Sequence, residues 1–178
     1  MKKKKKQERS NDTTMRVRLT KGNGPKQDTL SCFRPDGTST WSRFIAQHDL
    51  VHYVVETELD LQNSFYALVY RGMNISDFNV PGATKALNLP VEAGLTEFVV
   101  GMLQMELAVG ERFPDFNDQV ANACRSKGAE PPDPIPQDKL TRIRDEIRRL
   151  LGEWSTVEQG GFVEFPYPIV RDGSGAKT

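Results

Sequence analysis

Cysteine and histidine are scarce in this chain of 178 residues, which has two of each. Cys32 and Cys124 lie far apart and form no CxxC pair, which excludes a zinc ribbon and a disulfide scaffold. So few cysteines favour a reducing, cytoplasmic setting. No apolar run approaches the ~20 residues that span a bilayer. No apolar segment follows the N-terminal lysines as it would in a secretory signal.

Net charge is also absent, because 24 Lys+Arg balance 24 Asp+Glu. The first nine residues hold six basic side chains and one acidic one, so the rest of the chain has 18 basic and 23 acidic residues, a net charge of −5. Because the body is acidic, nucleic acid is not the expected partner of the folded domain. A homo-oligomer is possible, with Trp154 either at its contact or packed on the core. No small-molecule substrate is indicated.

The length fits a single domain. Residues 1–14 contain one apolar residue, the initiator methionine, and are expected to form a disordered basic tail. Its lysine run is interpreted as a solvated tail, with a phosphate- or membrane-binding arm as the alternative. The single domain is expected at 15–170, followed by a flexible C-terminal tail at 171–178.

Alternation of apolar and polar residues predicts three short strands, at 15–20, 29–34 and 38–43, which form an antiparallel meander. The candidates for its packed face are Val17, Leu19, Leu30, Cys32 and Trp41. Helical periodicity follows at 44–58, 61–71, 91–111, 116–127 and 137–151. Asp60 is the candidate cap of the second helix, unless the first two segments form one long helix. With a last strand at 162–165, the prediction is an α+β fold: a short N-terminal antiparallel β meander packed on a bundle of four to five helices.

One segment of the chain points to chemistry. His48 and His52 are the only histidines and are four residues apart, so on a helix they project from one face about 40° apart. Glu56 continues the row, and Asp49 lies at its edge. Two imidazoles at this spacing plus a carboxylate are the ligands of many zinc and non-haem iron sites. Asp49 could orient a ligating histidine, bind the metal or act as a base near metal-bound water.

The predicted 91–111 helix offers a further candidate. Glu106 falls in the middle of its apolar stripe, where an unpaired charge would be costly to bury. A metal shared with the histidines would satisfy it, and so would an ion pair with an arginine such as Arg43 or Arg71. Glu97 is predicted on the opposite, solvated face.

The segment HDLVH at 48–52 resembles the HDxxH signature of the ubiquinone (coenzyme Q) biosynthesis protein four family. Those proteins are helical, and the resemblance implies a zinc site with His48, Asp49 and His52 as possible ligands. At the position of that family's downstream glutamate this chain has Ser64. More broadly the chain resembles small bacterial proteins with a strand–turn–strand start followed by HDLxHY, a likeness that implies no activity.

The leading hypothesis is a cytoplasmic protein with a divalent-metal site for zinc or iron, and one route to function is a metal-dependent enzyme. His48 and His52 would be ligands, with Glu106, Glu56 or Asp49 completing the shell. The alternative is a non-enzymatic interaction module in which both histidines are structural. A third hypothesis, a lipid or quinone carrier, requires a deep apolar cavity beside His48.

Overall fold

The computed structural model describes residues 13–24, 27–43, 45–79 and 87–168. The basic tail predicted at 1–14, apart from its last two residues, lies outside these ranges. So does the C-terminal tail predicted at 171–178. None of the described helices is long and apolar enough to cross a membrane.

Four antiparallel strands form one sheet. They are β1 (Met15–Thr20), β2 (Thr29–Phe33), β3 (Ser39–Arg43) and β4 (Phe162–Tyr167). The spatial order is β3-β2-β1-β4, so the last strand returns to pair with β1 along its whole length. The predicted meander is therefore present and gains a fourth strand from the C-terminal region.

The alternation along the strands separates two faces of the sheet. The inner face is buried and carries Met15, Val17, Leu19, Leu30, Cys32, Val163, Phe165 and Tyr167. The placement of Trp41 on this face was wrong, because Trp41 is 65 % exposed and lies opposite Ser31. In this register Thr40 pairs with Cys32 and is buried instead. A one-residue difference in register moves a side chain to the other face, so a single large residue is a poor guide to it.

Helices occupy most of the remaining described chain. They are α1 (Ala46–Glu58), α2 (Phe65–Tyr70), a 3₁₀ turn (Ile75–Asn79), α3 (Val91–Val109), α4 (Phe116–Ser126) and α5 (Gln137–Thr156). The predicted α+β class, a sheet with a set of helices, is confirmed.

The boundary between α1 and α2 was predicted less well. The chain leaves α1 through Leu59 and reaches Asp60, whose φ of 52° is left-handed, so one continuous helix is ruled out. Asp60 is not the cap of the second helix either, because α2 begins at Phe65 with Ser64 at its N-cap position.

Helix α1 is the central element of the helical layer. It packs against both α3 and α5, so side chains on most of its circumference are buried. The apolar members of that set are Ala46, Leu50, Val51, Val54 and Val55. Because the helix is enclosed, three polar residues between them, Asp49, His52 and Glu56, are buried as well.

Three tyrosines meet between α1, α2 and β4. The Tyr66 ring lies 6.1 Å from that of Tyr53 and 5.5 Å from that of Tyr167. The Tyr66 hydroxyl donates to the Asp49 carbonyl at 3.1 Å, and the Tyr53 hydroxyl donates to the Pro166 carbonyl at 2.9 Å. Burial raises the pKa of all three phenols, that of Tyr53 to about 12.

The fold should therefore lose stability in alkali. The unfolded chain's tyrosines ionise near pH 10. Because the folded-state pKa values are raised, the stabilisation is complete below about pH 10 and is lost as the pH rises through about 12. We expect the tyrosinate absorbance of these residues to rise in one cooperative step that coincides with loss of circular dichroism. Gradual ionisation near pH 10 of a protein that stays folded would contradict this.

Candidate metal centre

The two histidines lie on one face of α1, as their spacing predicts. Their ring centroids are 4.6 Å apart. His52 is buried, with 3 % of its surface exposed, whereas the His48 side chain is 38 % exposed at the rim. The site therefore has one interior imidazole and one that solvent reaches.

The third member of the group comes from α3. Among the described residues, His48, His52 and Glu97 each offer a ligand atom within 4.8 Å of the others. The Oε1 atom of Glu97 lies 3.3 Å from the Nε2 atom of His52. This glutamate is 60 % exposed, as predicted for the solvated face of α3, but its carboxylate also reaches the histidines. No pattern within the α3 sequence indicates this contact, since it depends on how α3 packs against α1.

Glu56, a predicted ligand candidate, holds His52 from the opposite side. Its Oε1 atom lies 3.2 Å from the Nδ1 atom of His52. Its Oε2 atom accepts the Ser64 hydroxyl at 2.6 Å and the Tyr66 backbone N–H at 2.8 Å. A proton on Nδ1 then donates to Glu56, which leaves Nε2 facing Glu97. Ser64, which stands where the HDxxH resemblance places a glutamate, thus contacts a glutamate instead.

Asp49 occupies the corresponding position beside His48. Its Oδ1 atom lies 3.5 Å from the Nδ1 atom of His48, and its side chain is buried. The second carboxylate oxygen, Oδ2, has no hydrogen-bond partner among the described residues. Burial raises the pKa of Asp49, while the hydrogen bond and charge of His48 oppose that shift. Each histidine is therefore flanked by its own buried carboxylate.

The charge on His52 is stabilised by two acids. Burial alone would lower the pKa of His52, but the hydrogen bonds and charges of Glu56 and Glu97 outweigh it and raise the pKa to about 10. Without a metal, His52 is a buried imidazolium between two carboxylates. A divalent cation would replace its proton, since a ligating imidazole must be neutral.

Glu106 is engaged elsewhere. Its oxygens accept two hydrogen bonds from the guanidinium of Arg144, at 2.8 and 2.5 Å, and one from the Phe113 backbone N–H at 2.7 Å. The burial of this acid and its need for a partner were predicted. The partner is neither a metal group with the histidines nor Arg43 or Arg71. The partner is Arg144 on α5. Because α5 carries many charged residues, its sequence does not indicate that the Arg144 side chain is buried.

Removing one partner of this buried pair should be costly, because the other charge remains without compensation. We expect Arg144→Met to lower the free energy of unfolding by about 3–5 kcal/mol in urea titrations. The double variant Arg144→Met/Glu106→Leu should regain much of that loss. Neither change should alter the metal content of folded protein. A loss of metal in the folded double variant would indicate that Glu106 is a metal ligand after all.

An apolar cleft of about 560 Å³ lies between α1, α3 and the proline-rich connector at 131–136. Its lining includes Val55, Leu59, Leu95, Val99 and Ile135 but neither histidine. It is therefore not the cavity beside His48 that a lipid or quinone carrier requires.

Comparison of the chain with protein-family models, with curated proteins and with solved structures finds no match in any of the three.

Proposed function

We propose that this protein binds a divalent metal ion, zinc or iron, through His48, His52 and Glu97. The observation that carries the proposal is the convergence of three ligand atoms, from two packed helices, within 4.8 Å. Ligands about 2.1 Å from a zinc ion lie roughly 3–4 Å from one another. The Oε1 atom of Glu97 and the Nε2 atom of His52, 3.3 Å apart, already have this spacing.

The surroundings of the histidines support the proposal. Metal-ligating histidines usually donate their second ring N–H to a carboxylate, which fixes the ring and raises its basicity. Glu56 is placed to do this for His52, at 3.2 Å. Asp49 lies beside the corresponding atom of His48, at 3.5 Å. We therefore assign Asp49 and Glu56 to orientation of the ligands, one of the roles that the sequence allows for Asp49, rather than to direct ligation.

The exposure of the group favours catalysis over a structural role. Structural zinc sites are closed by four protein ligands, whereas catalytic sites keep a position for water or substrate. Three protein ligands, two of them reached by solvent, leave such positions open. Two histidines and one carboxylate also form the ligand set of non-haem iron enzymes. We thus favour a metal-dependent enzyme of the bacterial cytosol, where its two free, buried thiols stay reduced.

One observation favours a second candidate, an interaction module with structural histidines. Protonated His52 already has a hydrogen-bond partner in Glu56 and an ion-pair partner in Glu97, and its pKa is raised to about 10. On this hypothesis the cluster is a buried ion-pair network, and it needs no metal.

Metal analysis separates the two candidates. Protein purified without a histidine tag and dialysed against Zn²⁺, Co²⁺ or Fe²⁺ should retain about one equivalent of metal, the number expected for one three-ligand site. The variants His48→Ala and Glu97→Gln should lose it while remaining folded, because both residues are partly exposed. Glu111→Gln, a change at an exposed acid just beyond α3, serves as the matched control and should keep it. Wild-type protein that binds no metal would contradict the metal-site proposal and support the interaction module with structural histidines.

Glu56→Gln tests the orienting role. The change keeps the side-chain shape but removes the charge that faces Nδ1 of His52. We expect metal affinity to fall by about 10–100-fold with the stoichiometry unchanged. Calorimetric titration measures both quantities, and a parallel unfolding curve shows whether the variant is folded. Complete loss of stoichiometry in a folded variant would instead make Glu56 a ligand.

A further inference from the structure

The outer face of the sheet, which points away from the packed core, carries aromatic and basic side chains. Trp41 is 65 % exposed and Phe162 is 54 % exposed, whereas most of the other large aromatic rings that the structure describes are buried or partly buried. They lie on β3 and β4, the two edge strands, with Phe33 on β2 between them. The face therefore presents an aromatic ring on three of its four strands.

Arginines are interleaved with these rings. The guanidinium of Arg18 lies 4.3 Å from the ring centre of Phe162 and 5.1 Å from that of Phe33. The guanidinium of Arg16 lies 5.0 Å from the centre of the Phe33 ring. Arg43 is exposed at the end of β3. Stacked guanidinium groups are held ready for a ligand, since their side chains are already ordered.

The local charge of this face differs from that of the whole body. The outer face carries three arginines, Arg16, Arg18 and Arg43, and one acidic residue, Glu164. Glu164 pairs with Arg16 at 3.1 Å and with Arg18 at 2.8 Å. The net charge of the strand residues on the outer face is thus +2, whereas the chain beyond residue 9 has a net charge of −5. Five further lysines, at residues 2–6, precede β1 in the sequence. Phosphate is the charge that complements this face.

We propose that the outer face of the sheet binds single-stranded nucleic acid. Bases would stack on the exposed rings of Trp41 and Phe162, and arginines would contact the backbone phosphates. Aromatic stacking combined with a basic surface is the general means by which proteins hold single strands without reading sequence. A duplex hides its base faces and cannot stack on these rings. The site uses none of the residues of the metal centre and stands or falls independently of it.

The expectation from the acidic composition was that the folded domain does not bind nucleic acid. That expectation averages charge over the whole surface. Binding depends on the face that meets the ligand, and the acidic groups of α5 pair with arginines of their own helix, such as Arg142 and Arg149. The distribution of charge, not its sum, carries the inference.

The full chain can be titrated into labelled oligothymidylate and oligouridylate, with a duplex of equal length as comparison. We expect saturable anisotropy changes for both single strands, weaker duplex binding and an affinity that falls with salt. Tryptophan emission should be quenched through exposed Trp41, because Trp154 is buried. Trp41→Ala should weaken binding roughly tenfold. Arg43→Ala should weaken it for every sequence and reduce the salt slope by about 1.

Matched controls lie on the helices. Arg149→Ala removes an arginine 58 % exposed on α5, and Met105→Ala removes an exposed apolar side chain on α3. Neither should change the affinity. Binding that survives Trp41→Ala and Arg43→Ala together, equal affinity for duplex, or no binding at low salt would each overturn the proposal. Self-association through this face would also overturn the proposal. Light scattering would then show an oligomer that Trp41→Ala dissociates and that oligonucleotide does not affect.

Discussion

The buried carboxylate of Glu56 is the interaction on which much of the structure depends. An ionised carboxylate cannot remain in a protein interior without donors, because the loss of hydration is too costly. Here His52 supplies one donor from α1, and Ser64 and the Tyr66 backbone supply two from the start of α2. The hydroxyl of Tyr167, on β4, lies 3.5 Å from the Oε2 atom of Glu56. One charge therefore ties together two helices and the last strand.

This arrangement explains why α1 and α2 are separate elements. The chain must turn back after Glu58 so that the backbone N–H of Tyr66, in the first turn of α2, reaches Glu56 inside α1. A carboxylate at the beginning of a helix satisfies N–H groups that have no partner within the helix. The left-handed residue Asp60 allows that reversal. The sequence left one long helix open as an alternative, and the contact between Glu56 and Tyr66, ten residues apart, is compatible only with a break between α1 and α2.

Much of the fold and two of the three proposed metal ligands could be predicted from the sequence. Alternation located the strands of the meander, and the i, i+4 spacing placed His48 and His52 side by side, since both patterns are local. Glu97 could not be found in this way, because it joins the group only through the packing of α3 on α1. Glu106 shows the same limit: its burial followed from the helical period, but its partner Arg144 lies 38 residues away. Periodicity predicts which side chains are buried, and only tertiary structure determines what they meet.

Trp41 was predicted on the buried face of the sheet but lies on the outer face, which is the face proposed to bind a ligand. A large aromatic ring in a strand favours the buried face, and most natural sheets place it there. In the pairing of β2 with β3 it lies opposite Ser31, in the row that continues to Arg18 and Glu164. Exposure of such a ring has a free-energy cost that a purely structural face would avoid. The same register that contradicts the packing prediction therefore puts the ring, the arginines and the open face in one place, which is why this surface is interpreted as a site of binding.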